Sequence, residues 1–410
     1  MKKILQIYID SYKGLSAASW MLAFVMLLNR SGSMVLPFLG VYMTGKLGFS
    51  LENSGYVLAC FGVGSLIGSF FGGWLTDKIG NFKVQSLSLF LSAPMFAIMP
   101  LFDTPIGLGC IMLIQSTISE VFRPANSVAI TVHARPENIT RAFSLNRMAI
   151  NLGFSIGPAM GGILASISYA LLFYVNAVAA FLAGCLFVYF FINKKSTKEI
   201  NRDQQREISN PEMVKPERSP YKDGPFILFN LFCAFYAIAF FQLFSTLPIF
   251  YQEIGKLSQF DIGIILGYSG LIIFILEMLL VHIAEKKLTV TQIIVFGVFL
   301  TGIGYGMLAF AHGIFIIYVS MTFLCFSEML ALPFTSTVTA LRSGINNKGA
   351  YMGFNGLAFA SAFVISPILG TKIAKLYNFE VLWIGTALLS VISAIGFYFV
   401  LQKMLKTTND

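Results

Sequence analysis

Residues 73–83 read Gly-Trp-Leu-Thr-Asp-Lys-Ile-Gly-Asn-Phe-Lys and separate two long apolar runs, near residues 52–75 and 82–102. Each run has about 20 mostly apolar residues, the length that an α-helix needs to cross a bilayer. Between the runs, Gly80 favours a tight turn, and Asp77 supplies an acidic group that can cap the N-terminus of a neighbouring helix. The stretch therefore predicts two membrane-spanning helices joined by a short charged loop.

The composition extends this prediction to the whole chain. Of 410 residues, 56% are hydrophobic and only 11% are charged, whereas a soluble domain carries roughly a quarter charged residues. We therefore expect an all-α membrane protein with twelve transmembrane helices. The predicted segments 1 to 12 lie near residues 15–43, 52–75, 82–102, 106–132, 142–166, 169–192, 225–250, 259–283, 289–310, 313–340, 350–372 and 379–402.

The basic residues are distributed unevenly between alternate loops. Lys and Arg are concentrated in the two termini, in every second loop and in the polar stretch 193–223, whereas the opposite loops hold only Lys46, Lys256, Lys372 and Lys375. By the positive-inside rule, both termini are cytoplasmic, which requires an even number of spans. We predict a multi-pass protein of the bacterial cytoplasmic (inner) membrane. The net charge of +9 is explained by this orientation, and no nucleic-acid partner is expected.

The two halves of the chain carry a weak internal repeat. Ser119-Glu120 is followed by Pro158, and Ser327-Glu328 is followed by Pro367 at nearly the same interval. Such a repeat predicts two pseudo-symmetric six-helix bundles. The charged, proline-containing stretch between them is expected to be a flexible cytoplasmic linker. The predicted domains are the N-terminal bundle, the linker and the C-terminal bundle: residues 1–192, 193–223 and 224–410.

Residues 73–83 resemble the signature loop of the major facilitator superfamily, G-x-L-x-D-R-x-G-R-R. Lys78 replaces the usual arginine, and Asn81-Phe82 replaces the usual basic pair. The resemblance implies the major facilitator fold, in which Asp77 would contact the start of the eleventh helix, near residues 349–350, in the outward-facing state. It also implies that four residues of the loop take part in gating: Gly73, Asp77, Lys78 and Gly80.

Residues 153–162 read Gly-Phe-Ser-Ile-Gly-Pro-Ala-Met-Gly-Gly and resemble the G-x-x-x-G-P-x-x-G-G motif of the antiporter branch of this superfamily. Glycines spaced by four allow close helix packing, and Pro158 removes a backbone hydrogen bond. Tight packing alone is the alternative interpretation. The resemblance covers essentially the whole chain and is greatest to twelve-helix drug:proton antiporters. From it we expect a second gating group: Arg147, Gly153, Gly157, Pro158, Gly161 and Gly162.

Charged side chains inside membrane segments cost roughly 2.5–3.5 kcal/mol on insertion scales and are usually functional or paired. Glu120 and Arg123 are three residues apart and share a helical face. Glu328 has no basic residue close to it in its own segment, so we predict Glu328 as the proton-coupling carboxylate and Glu120 as the second candidate. Structural ion pairing is the alternative for both. In the fold that the resemblance implies, segments 1, 4, 7 and 10 line a central cavity, and the residues expected there are Asn29, Arg30, Phe38, Phe122, Arg123, Gln242, Phe244 and Phe334.

Two functions fit these features. The first is proton-driven export of amphipathic compounds, drugs or metabolites by an antiporter. The alternative is proton-coupled uptake of peptides or another small anionic or zwitterionic nutrient, with Arg30 and Arg123 holding a carboxylate. The sequence has no nucleophile–base constellation, phosphate-binding loop or metal cluster, so we expect neither an enzyme nor a cofactor or metal site. The expected partners are a small-molecule substrate, protons and the lipid bilayer, and a monomer is the working assumption.

Overall fold

The computed structural model describes residue 6 and residues 9–32, 35, 38–39, 42–194, 219–257, 259–310, 313–344 and 347–406. This part of the chain contains helices and no strand. The thirteen α-helices are α1 (Ala17–Ser31), α2 (Leu51–Ile79), α3 (Asn81–Ile98), α4 (Pro105–His133), α5 (Ile139–Ile167), α6 (Tyr169–Phe191), α7 (Gly224–Phe240), α8 (Thr246–Glu253), α9 (Gln259–Lys287), α10 (Val290–Phe310), α11 (Ile314–Arg342), α12 (Lys348–Leu376) and α13 (Phe379–Lys406).

Most of these helices are able to span a membrane. Among the described residues, ten segments are long and apolar enough to do so, and one of them consists of α7 and α8 together. The two that fall short are α1, which has 15 described residues, and α5, which carries Arg141 and Arg147 among many small and polar residues. With α1 and α5 included, the helices account for the twelve predicted segments. The predicted all-α membrane fold is confirmed.

Segment 7 differs from the prediction of one continuous helix. The structure ends α7 at Phe240, continues with a 3₁₀ turn over Phe241–Phe244, and begins α8 at Thr246. Pro248 explains the break, because a proline has no N–H to donate and its ring clashes with the carbonyl group four residues earlier, at position 244. Helices α2 to α6 and α9 to α13 begin and end within four residues of the predicted positions.

One of the two compact units of the chain, here called the N-terminal unit, comprises residues 14–219 and 340–357. Its side chains form two apolar clusters, one around Phe122 and Phe187, the other around Met112 and Phe173. Along α4, a row of buried polar residues separates these clusters. On α4, Gln115 Nε2 donates to Ser119 Oγ at 2.7 Å. Two serines of α3 contact the same stretch: Ser92 Oγ lies 3.2 Å from Ser119 Oγ, and Ser88 Oγ donates to the Ile118 carbonyl at 2.7 Å.

Helices α2 and α4 of this unit approach each other along a stripe of glycines at four-residue spacing. A Cβ atom on Gly68 would lie 3.0 Å from the Cβ atom of Glu120, and one on Gly72 would lie 2.8 Å from the Cα atom of Val121. Gly64 meets α4 one turn earlier, at Ser116. Only a residue without a side chain allows this backbone distance. The stripe thus fixes the face of α4 that carries Glu120.

The other unit, here called the C-terminal unit, comprises residues 1–13, 220–339 and 358–410. A buried aromatic group forms part of its core: Trp383 stacks on Tyr305 with ring centroids 5.1 Å apart, and Phe250 meets Trp383 edge-on at 5.4 Å. The units group residues 1–13 with the second half of the chain and residues 340–357 with the first. The division into bundles of residues 1–192 and 224–410 stays a prediction. The predicted linker lies mostly outside the described residues.

Candidate functional site

The loop between α2 and α3 holds the first turn of α12 in the N-terminal unit. Asp77 accepts two backbone hydrogen bonds, one from the Gly349 N–H on Oδ1 and one from the Ala350 N–H on Oδ2, each 2.7 Å long. These N–H groups have no partner inside the helix, and the helix dipole favours a negative charge beside them. Close approach is allowed by Gly73, because its added Cβ atom would lie 3.0 Å from the Cα atom of Gly353. The contact expected of Asp77 is present, whereas its gating role stays a prediction.

The remaining gating candidates of this loop shape the turn itself. Gly80 has φ +92°, a left-handed conformation that favours glycine. Its N–H donates to the Thr76 carbonyl at 2.9 Å and ends α2. Lys78 Nζ lies 4.6 Å from the ring centroid of Trp74, so its charge interacts with an aromatic face of its own helix.

A hydrogen bond relates the levels of two arginines along their helices in the N-terminal unit. Ser16 Oγ donates to the His133 carbonyl at 2.8 Å, so the start of α1 and the end of α4 lie at the same level. At about 1.5 Å per residue from that level, Arg30 on α1 lies roughly 21 Å and Arg123 on α4 roughly 15 Å along the helices. A hydrocarbon core is about 30 Å thick, so both arginines lie at levels inside membrane-spanning helices rather than at their ends.

Glu120 and Arg123 form an ion pair on one face of α4. Glu120 Oε2 lies 3.3 Å from Arg123 Nη1. Glu120 is buried, with 6% of its surface exposed, whereas 48% of the Arg123 side chain is exposed. Within the described residues Glu120 Oε2 makes no hydrogen bond, so the contact is a charge attraction without hydrogen-bond geometry. Because a charge facing lipid at this depth costs roughly 2.5–3.5 kcal/mol, the exposed face of Arg123 is expected to border water.

Arg30 joins this pair from α1. It is close enough to interact electrostatically with both Glu120 and Arg123. Its guanidinium carbon lies 5.7 Å from the ring centroid of Phe154 on α5. Next to that ring, Gly153 allows α5 to touch α1, since a Cβ atom there would lie 3.0 Å from the carbonyl carbon of Arg30. Three predicted site residues are therefore brought together: two arginines and one glutamate.

The repeated Ser-Glu pairs have similar surroundings in the two units. In the N-terminal unit, Ser119 on α4 shares a 3.2 Å hydrogen bond with Ser92 on α3. In the C-terminal unit, Ser327 on α11 shares a 2.5 Å hydrogen bond with Thr301 on α10. The glutamate that follows, Glu328, is buried to the same 6% exposure as its counterpart on α4. Each unit thus contains one deeply buried carboxylate at the repeated position.

Several predicted cavity residues are packed inside their own unit. Gln242 donates through Nε2 to the Ser366 carbonyl at 3.1 Å, and its Oε1 accepts a hydrogen bond from the Thr246 hydroxyl. Phe122 and Phe334 are almost fully buried. Exposed surface remains on the other predicted cavity residues: Asn29, Phe38 and Phe244. A role in substrate contact stays a prediction for all of them.

The gating candidates on α5 all lie within the helix. Gly157 and Gly161 are buried, and Arg147 is partly buried with an interaction partner. The surroundings of Pro158 and Gly162 are outside the described residues.

Sequence reasoning missed two features of the site. The glycine stripe of α2 is visible as Gly-x-x-x-Gly spacing in residues 64–72. The hydroxyl partners Ser92 and Thr301 are separated by almost the same offset as Ser119 and Ser327, which a longer repeat search could have found.

Comparison with known proteins gives consistent matches over most of the chain. Residues 19–292 match the family model of the Major Facilitator Superfamily. The uncharacterized MFS-type transporter YttB of Bacillus subtilis (strain 168) is 26% identical, with 94% of this chain and 95% of YttB covered. The multidrug resistance protein MdtH of Proteus mirabilis (strain HI4320) is 23% identical, with 80% of each chain covered. Among solved structures, that of the human organic anion transporter MFSD10 (TETRAN) has a TM-score of 0.74 at 15% identity, covering 93% of this chain and 98% of that one.

Proposed function

Because this chain belongs to the Major Facilitator Superfamily, we propose that it is a proton-coupled antiporter that exports small amphipathic compounds, drugs or metabolites by alternating access. As a member of this family it is a multi-pass membrane transporter and not an enzyme. The proposal adds the coupling ion, the direction and the kind of substrate. It places the protein in the bacterial cytoplasmic membrane, with both termini cytoplasmic, working as a monomer.

The observation that carries proton coupling is that the repeated position holds a buried carboxylate in both units, Glu120 in one and Glu328 in the other. A buried carboxylate is costly to ionise unless it has a close counter-ion. Arg123 supplies that counter-ion for Glu120, and it also has exposed surface. Breaking the pair favours protonation and making it favours release of the proton. A change in exposure can therefore be coupled to proton movement.

Export is supported by the likeness to MdtH, which is named as a multidrug resistance protein. The glycine-rich motif of α5, with its resemblance to the antiporter branch, favours the same direction. In the proposal, the contact of Asp77 with α12 is a gate that stabilises one state of the transport cycle. The second candidate is proton-coupled uptake of peptides or another small anionic or zwitterionic nutrient, which is favoured by the two arginines at the site.

Transport by purified protein in proteoliposomes tests the proposal. An imposed proton gradient is applied and the movement of an anionic and a cationic amphipathic dye is followed, for the wild type, Glu328→Gln and Glu120→Gln. We expect the gradient to drive at least one dye against the proton flow. Glu328→Gln should abolish the proton response, and Glu120→Gln should reduce or abolish it. Glu253→Gln, which neutralises an exposed carboxylate at the end of α8, is the matched control and should behave as the wild type.

Each other outcome has a definite meaning. If both site variants respond like the wild type, the proposed coupling is wrong and the two glutamates are structural. If dye and protons move in the same direction, the protein is a symporter and the alternative function holds.

A further inference from the structure

The charged group of the N-terminal unit has an excess of positive charge. Among the described residues, Arg30 and Arg123 share one carboxylate, Glu120, with which both interact electrostatically. A charge group that serves only to hold helices together is expected to be balanced where it is buried, because a buried charge without a counter-ion is strongly destabilising, and Arg30 Nε is buried. Within the part of the chain that the structure describes, one positive charge of this group therefore has no carboxylate of its own.

Both arginines have hydrogen-bonding capacity that the described residues leave unused. Arg30 Nε is buried and makes no hydrogen bond within the described part of the chain. Arg123 has about half of its side chain exposed, and Nη1 is the atom that contacts Glu120. A guanidinium group has five N–H donors in a planar fork, which fits carboxylate, phosphate and sulfonate groups with two parallel hydrogen bonds.

An apolar surface lies directly beside these donors. The ring of Phe154 stands 5.7 Å from the Arg30 guanidinium carbon, and 46% of this phenylalanine is exposed. The ring is held there because Gly153 lets α5 touch the backbone of α1 at Arg30. A ligand whose anionic head binds the arginines would thus find an aromatic surface for its apolar body within a few ångströms.

We infer that the substrate of this transporter is an amphipathic organic anion, with its anionic head bound by Arg30 and Arg123 and its apolar body against Phe154. The inference rests on the proposed transport function and specifies the substrate class of the same site. Glu120 has a second part in this arrangement, because it competes with the ligand for Arg123. Protonation of Glu120 would release Arg123 to the anion, and binding and coupling would share one side chain.

Binding of three matched probes tests the inference without transport. 1-Naphthaleneacetate is the anion, its primary amide is the neutral analogue, and 1-naphthylethylammonium is the cation, with nearly the same apolar body in each. Binding is measured by calorimetry on the full chain in lipid nanodiscs. We expect the anion to bind about tenfold or more tightly than the amide, as charge-assisted hydrogen bonds are roughly twice as strong as neutral ones. The cation should bind most weakly.

Three variants identify the residues responsible. Arg30→Gln should abolish the preference for the anion over the amide. Lys222→Gln removes the same charge from an exposed turn before α7 and should leave the preference unchanged. Arg123→Gln alone leaves Glu120 buried without its counter-ion and can misfold. The double variant Glu120→Gln/Arg123→Gln removes both charges and should fold, with anion binding weakened as in Arg30→Gln.

The inference is overturned if the cation or the amide binds as tightly as the anion, if Arg30→Gln keeps the preference, or if the wild type binds none of the probes at millimolar concentration. These outcomes are separate from failure of the proposed function. If a cation is exported in exchange for protons, the antiporter proposal is supported and the anion inference is wrong. If the anion binds in an Arg30-dependent way but is imported together with protons, the anion inference is supported and the antiporter proposal is wrong.

Discussion

At the scale of single residues, Asp77 gives the most direct test, because each of its carboxylate oxygens accepts a backbone hydrogen bond from the first turn of α12. Asp77→Asn leaves one acceptor oxygen for two N–H groups and removes the negative charge from the helix N-terminus. We expect the variant to lose about 1–2 kcal/mol of stability. The thermal midpoint of the purified protein should fall. Lys83→Gln, which changes an exposed charge near the start of α3, should leave the midpoint unchanged, and equal midpoints for the two variants would contradict the capping role.

Glu120 illustrates how far residue contacts could be predicted from sequence. Its ion pair with Arg123 follows from their spacing of three residues on one helix. Its proximity to Arg30 was expected only because the family resemblance places their helices around one cavity. The position of Phe154 under Arg30 could not be predicted, since it depends on the register in which α5 packs on α1. Register between distant helices is determined by tertiary packing, of which a single sequence gives little sign.

At the scale of helices, the packing of α2 on α4 should depend on the absence of side chains at the glycine stripe. In Gly68→Ala, the new Cβ atom would meet the Thr117 carbonyl oxygen at 2.5 Å and the Glu120 Cβ atom at 3.0 Å. Because backbone cannot turn aside as a side chain can, the helices must separate, and overpacking of this kind costs about 1–3 kcal/mol. We expect a lower thermal midpoint and a weaker proton response, as the shift moves the glutamate.

Gly55→Ala provides a matched control within the same helix. No atom lies within 4 Å of a Cβ atom at Gly55, so its replacement meets no neighbour. Alanine has a higher helix propensity than glycine by about 1 kcal/mol, and the control should be neutral or slightly stabilising. If Gly55→Ala is as harmful as Gly68→Ala, the stripe is not the cause and α2 is sensitive to any substitution.

The helices also mark where sequence patterns stop being informative. The apolar runs predicted the first and last residues of α2 to α6 to within four positions, because the thickness of the membrane determines the length of these helices. The same runs could not divide segment 7, since three of the four residues of Phe241–Phe244 are apolar. The break follows from backbone chemistry at Pro248, which a hydropathy pattern does not register.

At the scale of the whole molecule, the composition was sufficient to predict an all-α membrane protein, and the Ser-Glu repeat was sufficient to predict two related halves. The two halves also share a side-chain contact. Each of the repeated serines, Ser119 and Ser327, forms a hydrogen bond with a hydroxyl group on the preceding helix of its own unit. Substrate class was left open at this scale. The substrate class depends on the charges of Arg30, Arg123 and Glu120, and the sequence alone does not show that these side chains lie close together.

The orientation in the membrane, with both termini in the cytoplasm, can be tested with two exposed loop residues of the C-terminal unit. Leu288 joins α9 to α10 beside the basic pair Lys286 and Lys287, whereas Tyr377 follows α12 at the opposite end. Each is replaced by cysteine in a chain whose five cysteines have been changed to alanine, and bacterial cells are treated with a membrane-impermeant maleimide. The positive-inside rule predicts that Tyr377→Cys is labelled in intact cells and Leu288→Cys only after permeabilisation. Both residues are apolar and exposed, so a difference in labelling reports the side of the membrane rather than burial. The reverse pattern would place the termini outside, and it would also reverse the direction assigned to proton-driven export.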